Sequence, residues 1–318
     1  MSGETLAVLK HVSRSYGDHR AVEDVSFEIR RGEVLGLLGP NGAGKTSTMQ
    51  MLCGVLAPVA GQIQVGGHDM IESPQLAKRS IGYLPEQPPL YPDLSVDQYL
   101  DFCATLRRMP RALLANARDK TKARCGLSDV GGRLIGNLSK GFQQRTGIAQ
   151  AIIHDPDLIV LDEPTVGLDP AQIVTIRALV RELGANHGVL VSTHILSEVR
   201  SLCDRVLIIG GGRLLLDQTI AALDHASVDA DFVVALRDPP DMQVLLSVPG
   251  VTNVEQIHAQ RFRVTGKAGI DTAANIAAAA VHGGWRLFEL VPAAGTLEET
   301  FLRLTQGDNP VANPGSPS

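Results

Sequence analysis

The sequence predicts an α/β chain, in which a mostly parallel sheet with flanking helices is followed by a small ferredoxin-like α+β domain. Three observations lead there. Short β-branched runs alternate with helical patterns from residue 6 to about 224, the alternation that builds parallel sheets. One strand-to-helix junction is the Gly-rich stretch GPNGAGKT, residues 39–46. Beyond about residue 225 the composition changes and the segments read β-α-β-β-α-β-α, an order that suits a split-βαβ domain.

Taken in order, EVLGLLG (33–39) is the continuous apolar run of a strand buried on both faces. A helix is expected after it, from about Lys45 to Leu56. Residues 93–137 carry no strand signal, while SVDQYLDFCATLRRM and RALLANARDKTKARCGL have helical spacing, so a helical insertion is expected there. LIVLD (158–162) and GVLVST (188–193) are further buried strands, and DRVLIIGGGRLLLD (204–217) reads as two strands around a Gly turn. In the last part DADFVVALRD, VTNVEQI, RFRVTG and WRLFELVP read as strands, and DMQVLLSVPG, DTAANIAAAAVHGG and TLEETFLRLTQG as helices. GDNPVANPGSPS is rich in Pro, Gly, Ser and Asn and is expected to be a disordered tail. The expected divisions are therefore 1–225, 226–306 and 307–318, without internal repeats.

Composition narrows the function. The 318 residues are 44% hydrophobic and 20% charged, with a formal net charge of −5 and no basic run, so no nucleic-acid partner is expected. Cys53, Cys103, Cys125 and Cys203 are far apart and form no CxxC pair, which favours reduced thiols over metal binding or a disulfide framework. MSGETLAVLKHVSRSYG lacks the basic start and apolar core of a secretion signal. No stretch approaches the roughly 18–20 apolar residues of a membrane span, so the chain is not expected to cross a membrane by itself.

GPNGAGKT matches G-x-x-x-x-G-K-[ST] between a strand and a helix. The loop Gly39, Pro40, Asn41, Gly42, Ala43 and Gly44 is expected to wrap a phosphate. Its glycines permit a tight turn whose backbone N–H groups face one anion at a helix N-terminus. Lys45 is expected to reach the β and γ phosphates of a nucleoside triphosphate, Thr46 to ligate Mg²⁺, and Ser47 to donate to an α-phosphate oxygen. LIVLDE supplies the acids: Asp162 for the Mg²⁺ shell and Glu163 as the general base that polarises the attacking water.

From these residues onward the chain resembles the ATP-binding subunits of ABC transporters over roughly residues 5–225. LSKGFQQR (138–145), just before LDEP, is similar to the family signature; VGLDP (166–170) to the D-loop; STHIL (192–196) to the switch-histidine stretch; and SYG to the aromatic that stacks on adenine. The resemblance implies a P-loop ABC fold with an antiparallel β subdomain, binding ATP and Mg²⁺. It assigns Tyr16 to the base, His194 to sensing the γ-phosphate and Asp169 to the D-loop. It also implies a head-to-tail homodimer in which Ser139 and the backbone N–H of Gly141 cap a γ-phosphate held by the other copy. Ser139 equally suits the N-cap of its own helix.

Two departures from the family pattern stand out. Lys140 and Phe142 alter the signature, and Lys140 either adds charge near that second nucleotide or points to solvent. In IGYLPEQPPLY (81–91), the family's Q-loop glutamine falls on Glu86, with Gln87 beside it, and either can make the contact to metal or water. Together with GTLEETFLRLT, these stretches resemble a subgroup serving type-2 exporters. That implies a peripheral subunit on the cytoplasmic face of the inner or plasma membrane, driving a separate membrane permease that seats on the helical insertion. The other class considered is a soluble ABC ATPase acting on ribosomes or DNA; a single ATP-binding domain, no heptad run and no cysteine cluster weigh against it. Lys45, Asp162, Glu163 and His194 together weigh against a regulator without turnover.

Overall fold

Two long antiparallel strands, β1 (Thr5–Tyr16) and β2 (His19–Arg30), meet at a turn through Gly17 and Asp18. They form a four-stranded sheet of order β2-β1-β4-β5 with β4 (Ala60–Val65) and β5 (His68–Asp69). In this computed structural model residues 3–223, 231–267, 269–292 and 301 are described. The chain divides into two units, Met1–Gln218 and Thr219–Ser318.

The second sheet of the first unit holds β3 (Val34–Leu38), β6 (Ile81–Leu84), β7 (Leu158–Asp162), β8 (Gly188–Thr193), β9 (Arg205–Gly210) and β10 (Arg213–Thr219), in the order β10-β9-β3-β8-β7-β6. β6, β7, β8, β3 and β9 run parallel to their neighbours. Every residue of β3, β7 and β8 is buried, which explains their unbroken apolar sequences. Leu35, Leu37, Leu158, Val160 and Leu190 form one core with Met49 and Leu52 of α1 (Lys45–Leu52). Each such side chain stabilises the fold by about 1.5–3 kcal/mol.

Local chemistry sets the helices. α1 stops at Leu52, four residues before the expected end at Leu56. Gly54 turns to φ +65°, and the N–H groups of Val55 and Leu56 both return to the Gln50 carbonyl, so the helical ladder closes on itself. After α2 (Pro74–Arg79) and β6, α3 (Val96–Leu106) begins in a capping box between Ser95 and Gln98. α4 (Arg111–Cys125) ends at Gly126, φ +62°. Where residues 93–137 carry no strand pattern, the structure adds one isolated bridge, Ser95 to Leu134. α5 (Lys140–Ile152) leads to β7, and α6 (Pro170–Gly184) starts with Pro170 after the Asp169 N-cap. α7 (Leu196–Leu202) follows β8.

The second unit runs β11 (Asp231–Leu236), α8 (Met242–Leu246), β12 (Val251–His258), β13 (Arg261–Gly266), α9 (Thr272–Gly283) and β14 (Leu287–Pro292). Its strands are antiparallel in the order β12-β13-β11-β14, the split-βαβ arrangement. Phe262, Val264, Val234, Ile276 and Trp285 make its core. The helix expected over TLEETFLRLTQG (Phe301 apart), the tail and the expected boundary at 225/226 lie outside the described residues.

Candidate nucleotide-binding site

The C-terminal ends of β3, β7 and β8 are neighbours in the sheet, so the segments leaving them converge. The segment after β3 is the phosphate loop. Gly44 lies at φ +102°, and a Cβ there would come within 2.3 Å of the Ala21 carbonyl oxygen, so only glycine fits. α1 starts at the next residue. Lys45 Nζ donates to the carbonyls of Gly39 at 2.8 Å and Pro40 at 3.2 Å. Burial pushes its pKa down, opposed by Glu163, Asp162 and Glu86.

The segment after β7 brings the two acids. Asp162 is buried, and its Oδ1 accepts a 2.5 Å hydrogen bond from the Ser192 hydroxyl. Asp162 Oδ2 is buried with no hydrogen-bond partner. Glu163 sits at φ +48° with its carboxylate 3.9 Å from Lys45 Nζ. From the segment after β8, His194 Nδ1 lies 3.0 Å from both Glu163 oxygens, where a protonated Nδ1 donates to them. Thr193, next to it, is held by a 2.8 Å bond from its hydroxyl to buried Glu198.

A cavity of 620 Å³ gathers Lys45, Glu163 and His194. Asn41, Gly42, Ala43, Gly44, Lys45, Thr46 and Ser47 of the loop and the start of α1 line it together with Glu86, Glu163 and His194. Tyr16 also lines the cavity and is exposed, and the Arg14 guanidinium lies over its ring at 5.0 Å. Thr46 and Glu86 line the cavity, whereas Asp162 is buried behind it and does not; its unpartnered Oδ2, with the Thr46 hydroxyl and the Glu86 carboxylate, makes a set of hard oxygen donors whose chemistry fits Mg²⁺.

Sequence reasoning missed three lining residues, His19, Ala21 and Val166. His19 is the strand partner of Tyr16, so the β1–β2 register was the signal that could have found it.

Several expected residues lie elsewhere. Gly39 and Pro40 contribute carbonyls to Lys45 but do not line the cavity. Gln87 lines a separate 420 Å³ cavity with Lys140 and Gln144, and Glu86 borders both. Asp169 accepts from the Gln172 N–H and so caps its own helix. Ser139 is the N-cap of α5 without a side-chain cap bond, and it is exposed. A Cβ on Gly141 would lie 2.4 Å from the Gln172 side chain, and one on Gly167 2.0 Å from Lys140 Nζ. The signature residues therefore pack against the D-loop of their own chain. Ser139, Lys140 and Gly141 do not line the cavity.

Comparison with known proteins places this geometry. The ABC transporter family model matches residues 22–166. The bacitracin transport ATP-binding protein BcrA of Bacillus licheniformis is 37% identical over 213 residues, covering 66% of this chain and 69% of that protein. The ABC transporter ATP-binding protein YdbJ of Bacillus subtilis, itself uncharacterized, is 30% identical over 305 residues, covering 95% of this chain and 96% of its own length. A solved ATP-binding subunit of an ABC transporter superposes with a TM-score of 0.64 at 31% identity, covering 70% of this chain and 92% of that one.

Proposed function

This chain belongs to the ABC transporter ATP-binding proteins, and on that premise we propose that two copies close head to tail around ATP and Mg²⁺ to drive a membrane permease. The chain is an ATPase and the energy-coupling subunit of a transporter. The observation that carries the dimer is the division of its motifs. The phosphate loop, Glu163 and His194 share one cavity. Ser139, at a helix N-terminus with no cap bond, stands outside it. A helix N-terminus attracts an anion, so Ser139 and the Gly141 N–H are read as completing the cavity of a second copy.

Within one cavity the roles follow from placement. Tyr16 stacks on the base. The loop amides and Lys45 hold the phosphates, with Ser47 on the α-phosphate. Thr46 and Asp162, with Glu86, hold Mg²⁺, which when bound neutralises charge on the β and γ phosphates. Glu163 takes the proton of the attacking water, and His194, in contact with its carboxylate, keeps it oriented and senses the γ-phosphate. Glu86 rather than Gln87 is assigned the Q-loop role, because Glu86 borders the nucleotide cavity. Asp169 shapes the D-loop through its cap.

Among the described residues no helix is long and apolar enough to cross a membrane, in keeping with a peripheral subunit on the cytoplasmic face. The permease is assigned to the helical insertion. Phe102 of the insertion and Tyr91 just before it are exposed, with ring centroids 5.5 Å apart, and Leu106, Arg107 and Arg108 of the insertion line a 300 Å³ cavity together with Lys78 and Arg79 of α2. The direction proposed is export, since a Nod factor export ATP-binding protein of Paraburkholderia xenovorans is 36% identical to this chain over 243 residues. Sedimentation of Glu163→Gln with ATP and Mg²⁺ tests the reading: a dimer retaining nucleotide is expected. A nucleotide-loaded monomer, alone and beside the permease, would overturn it.

A further inference from the structure

We propose that Ser192 is a positioning residue that fixes the metal-side acid and the general base through one hydroxyl. The inference rests on the roles given above to Asp162 and Glu163. Ser192 is fully buried and pairs with Asp162 in the parallel ladder of β7 and β8. The strand residues before it, Val189, Leu190 and Val191, are apolar and buried, and Thr193 after it is buried with its hydroxyl bonded to Glu198; a buried hydroxyl at this depth must be hydrogen-bonded to be tolerated.

The hydroxyl makes two bonds. It donates to Asp162 Oδ1 at 2.5 Å and accepts the Glu163 N–H at 2.8 Å. Because the N–H approaches the oxygen, the hydroxyl proton is committed to Asp162. Oδ1 is thereby occupied, and the buried Oδ2 is left as the carboxylate oxygen without a partner, the one that would face a cation. The second bond holds the Glu163 peptide, whose φ of +48° is a strained conformation that surrounding contacts must maintain. That backbone turn sets the Glu163 side chain against His194 at 3.0 Å and near Lys45 at 3.9 Å. One oxygen thus couples the orientation of the two acids.

The test compares Ser192→Thr with Ser192→Val in the full chain, since the two share a shape and differ by the hydroxyl. ATP affinity is measured by calorimetry with and without Mg²⁺, and turnover is measured against Mg²⁺ concentration. Partners that orient metal ligands typically carry about 10–100-fold in metal affinity or activity. The Val variant is expected to bind metal-free ATP like the wild type while needing about tenfold more Mg²⁺ and losing kcat at little change in KM for ATP. The Thr variant is expected to retain both.

A Val variant with wild-type Mg²⁺ dependence and kcat would overturn the proposal, as would equal losses in Thr and Val. Should Val fail to fold, Ser192→Ala is read in the same way. A wild-type chain whose ATP affinity and turnover ignore Mg²⁺ would instead overturn the metal reading beneath it.

Discussion

Gly44 decides how closely the phosphate loop approaches the rest of the molecule. It stands at φ +102° with the Ala21 carbonyl oxygen 2.3 Å from where a Cβ would be, and that obstacle is backbone that cannot rotate away. Gly42 also has a positive φ, +80°, but nothing lies within 4 Å of its Cβ direction. The two glycines therefore respond differently to one methyl. Gly42→Ala carries only the strain of a left-handed L-residue, roughly 1–2 kcal/mol, and is expected to weaken ATP binding by about 30-fold at most. Gly44→Ala must move the loop or β2 and is expected to weaken binding by about 100-fold or more. Calorimetric titration of both with ATP checks this, and equal losses would mean that strain, not the close approach, governs the loop.

At the scale of elements, the connection from α5 to β7 is pinned by His154, whose Nε2 lies 3.1 Å from the Ile81 carbonyl of β6. Burial, helped by Arg107, pushes its imidazole down to about 4, and its Nδ1 is buried without a partner. The ring is therefore neutral in the fold, whereas an unfolded histidine titrates near 6.5. Its contribution is complete above about pH 6.5 and is lost as pH falls toward about 4, up to about 3 kcal/mol in all. His154→Gln, which retains a donor for Ile81, is expected to lose less stability between about pH 7.5 and about pH 5 than the wild type in urea denaturation. Equal losses would reassign the acid sensitivity to other groups.

Elements also mark how far the sequence could be read. The phosphate loop was legible because its geometry is set by eight consecutive residues. The buried runs of β3, β7 and β8 were legible as strands, but nothing within them states that β7 and β8 are neighbours, and that pairing brings Glu163 to His194 across 31 positions. The family resemblance gave His194 a role at the γ-phosphate but not this contact. Ser192 gave no local signal, since a serine inside a strand is unremarkable until its partner strand is known. The period of α1 carried past Leu52 because apolar spacing continues to Leu56, while the turn at Gly54 is a backbone event.

The whole molecule offers a test that separates two arrangements of the same residues. In a two-fold dimer with shared sites, each nucleotide meets the Glu163 of one chain and the Ser139 of the other. Ser139 is exposed and makes no cap bond, so Ser139→Arg is expected to leave the fold and single-chain ATP binding intact while blocking hydrolysis. Glu163→Gln is expected to be inactive for the different reason that the base is gone. When the two inactive chains are mixed in equal amounts, half the dimers are mixed. Each mixed dimer then holds one site with Glu163 from the first chain and Ser139 from the second, both intact. The shared arrangement therefore predicts recovery of up to about a quarter of wild-type turnover. If Ser139 instead served the nucleotide of its own chain, every site in every dimer would lack one of the two groups, and mixing would restore nothing. ATPase assays across mixing ratios distinguish the cases, because recovery from a shared site peaks at equal amounts and vanishes at either end.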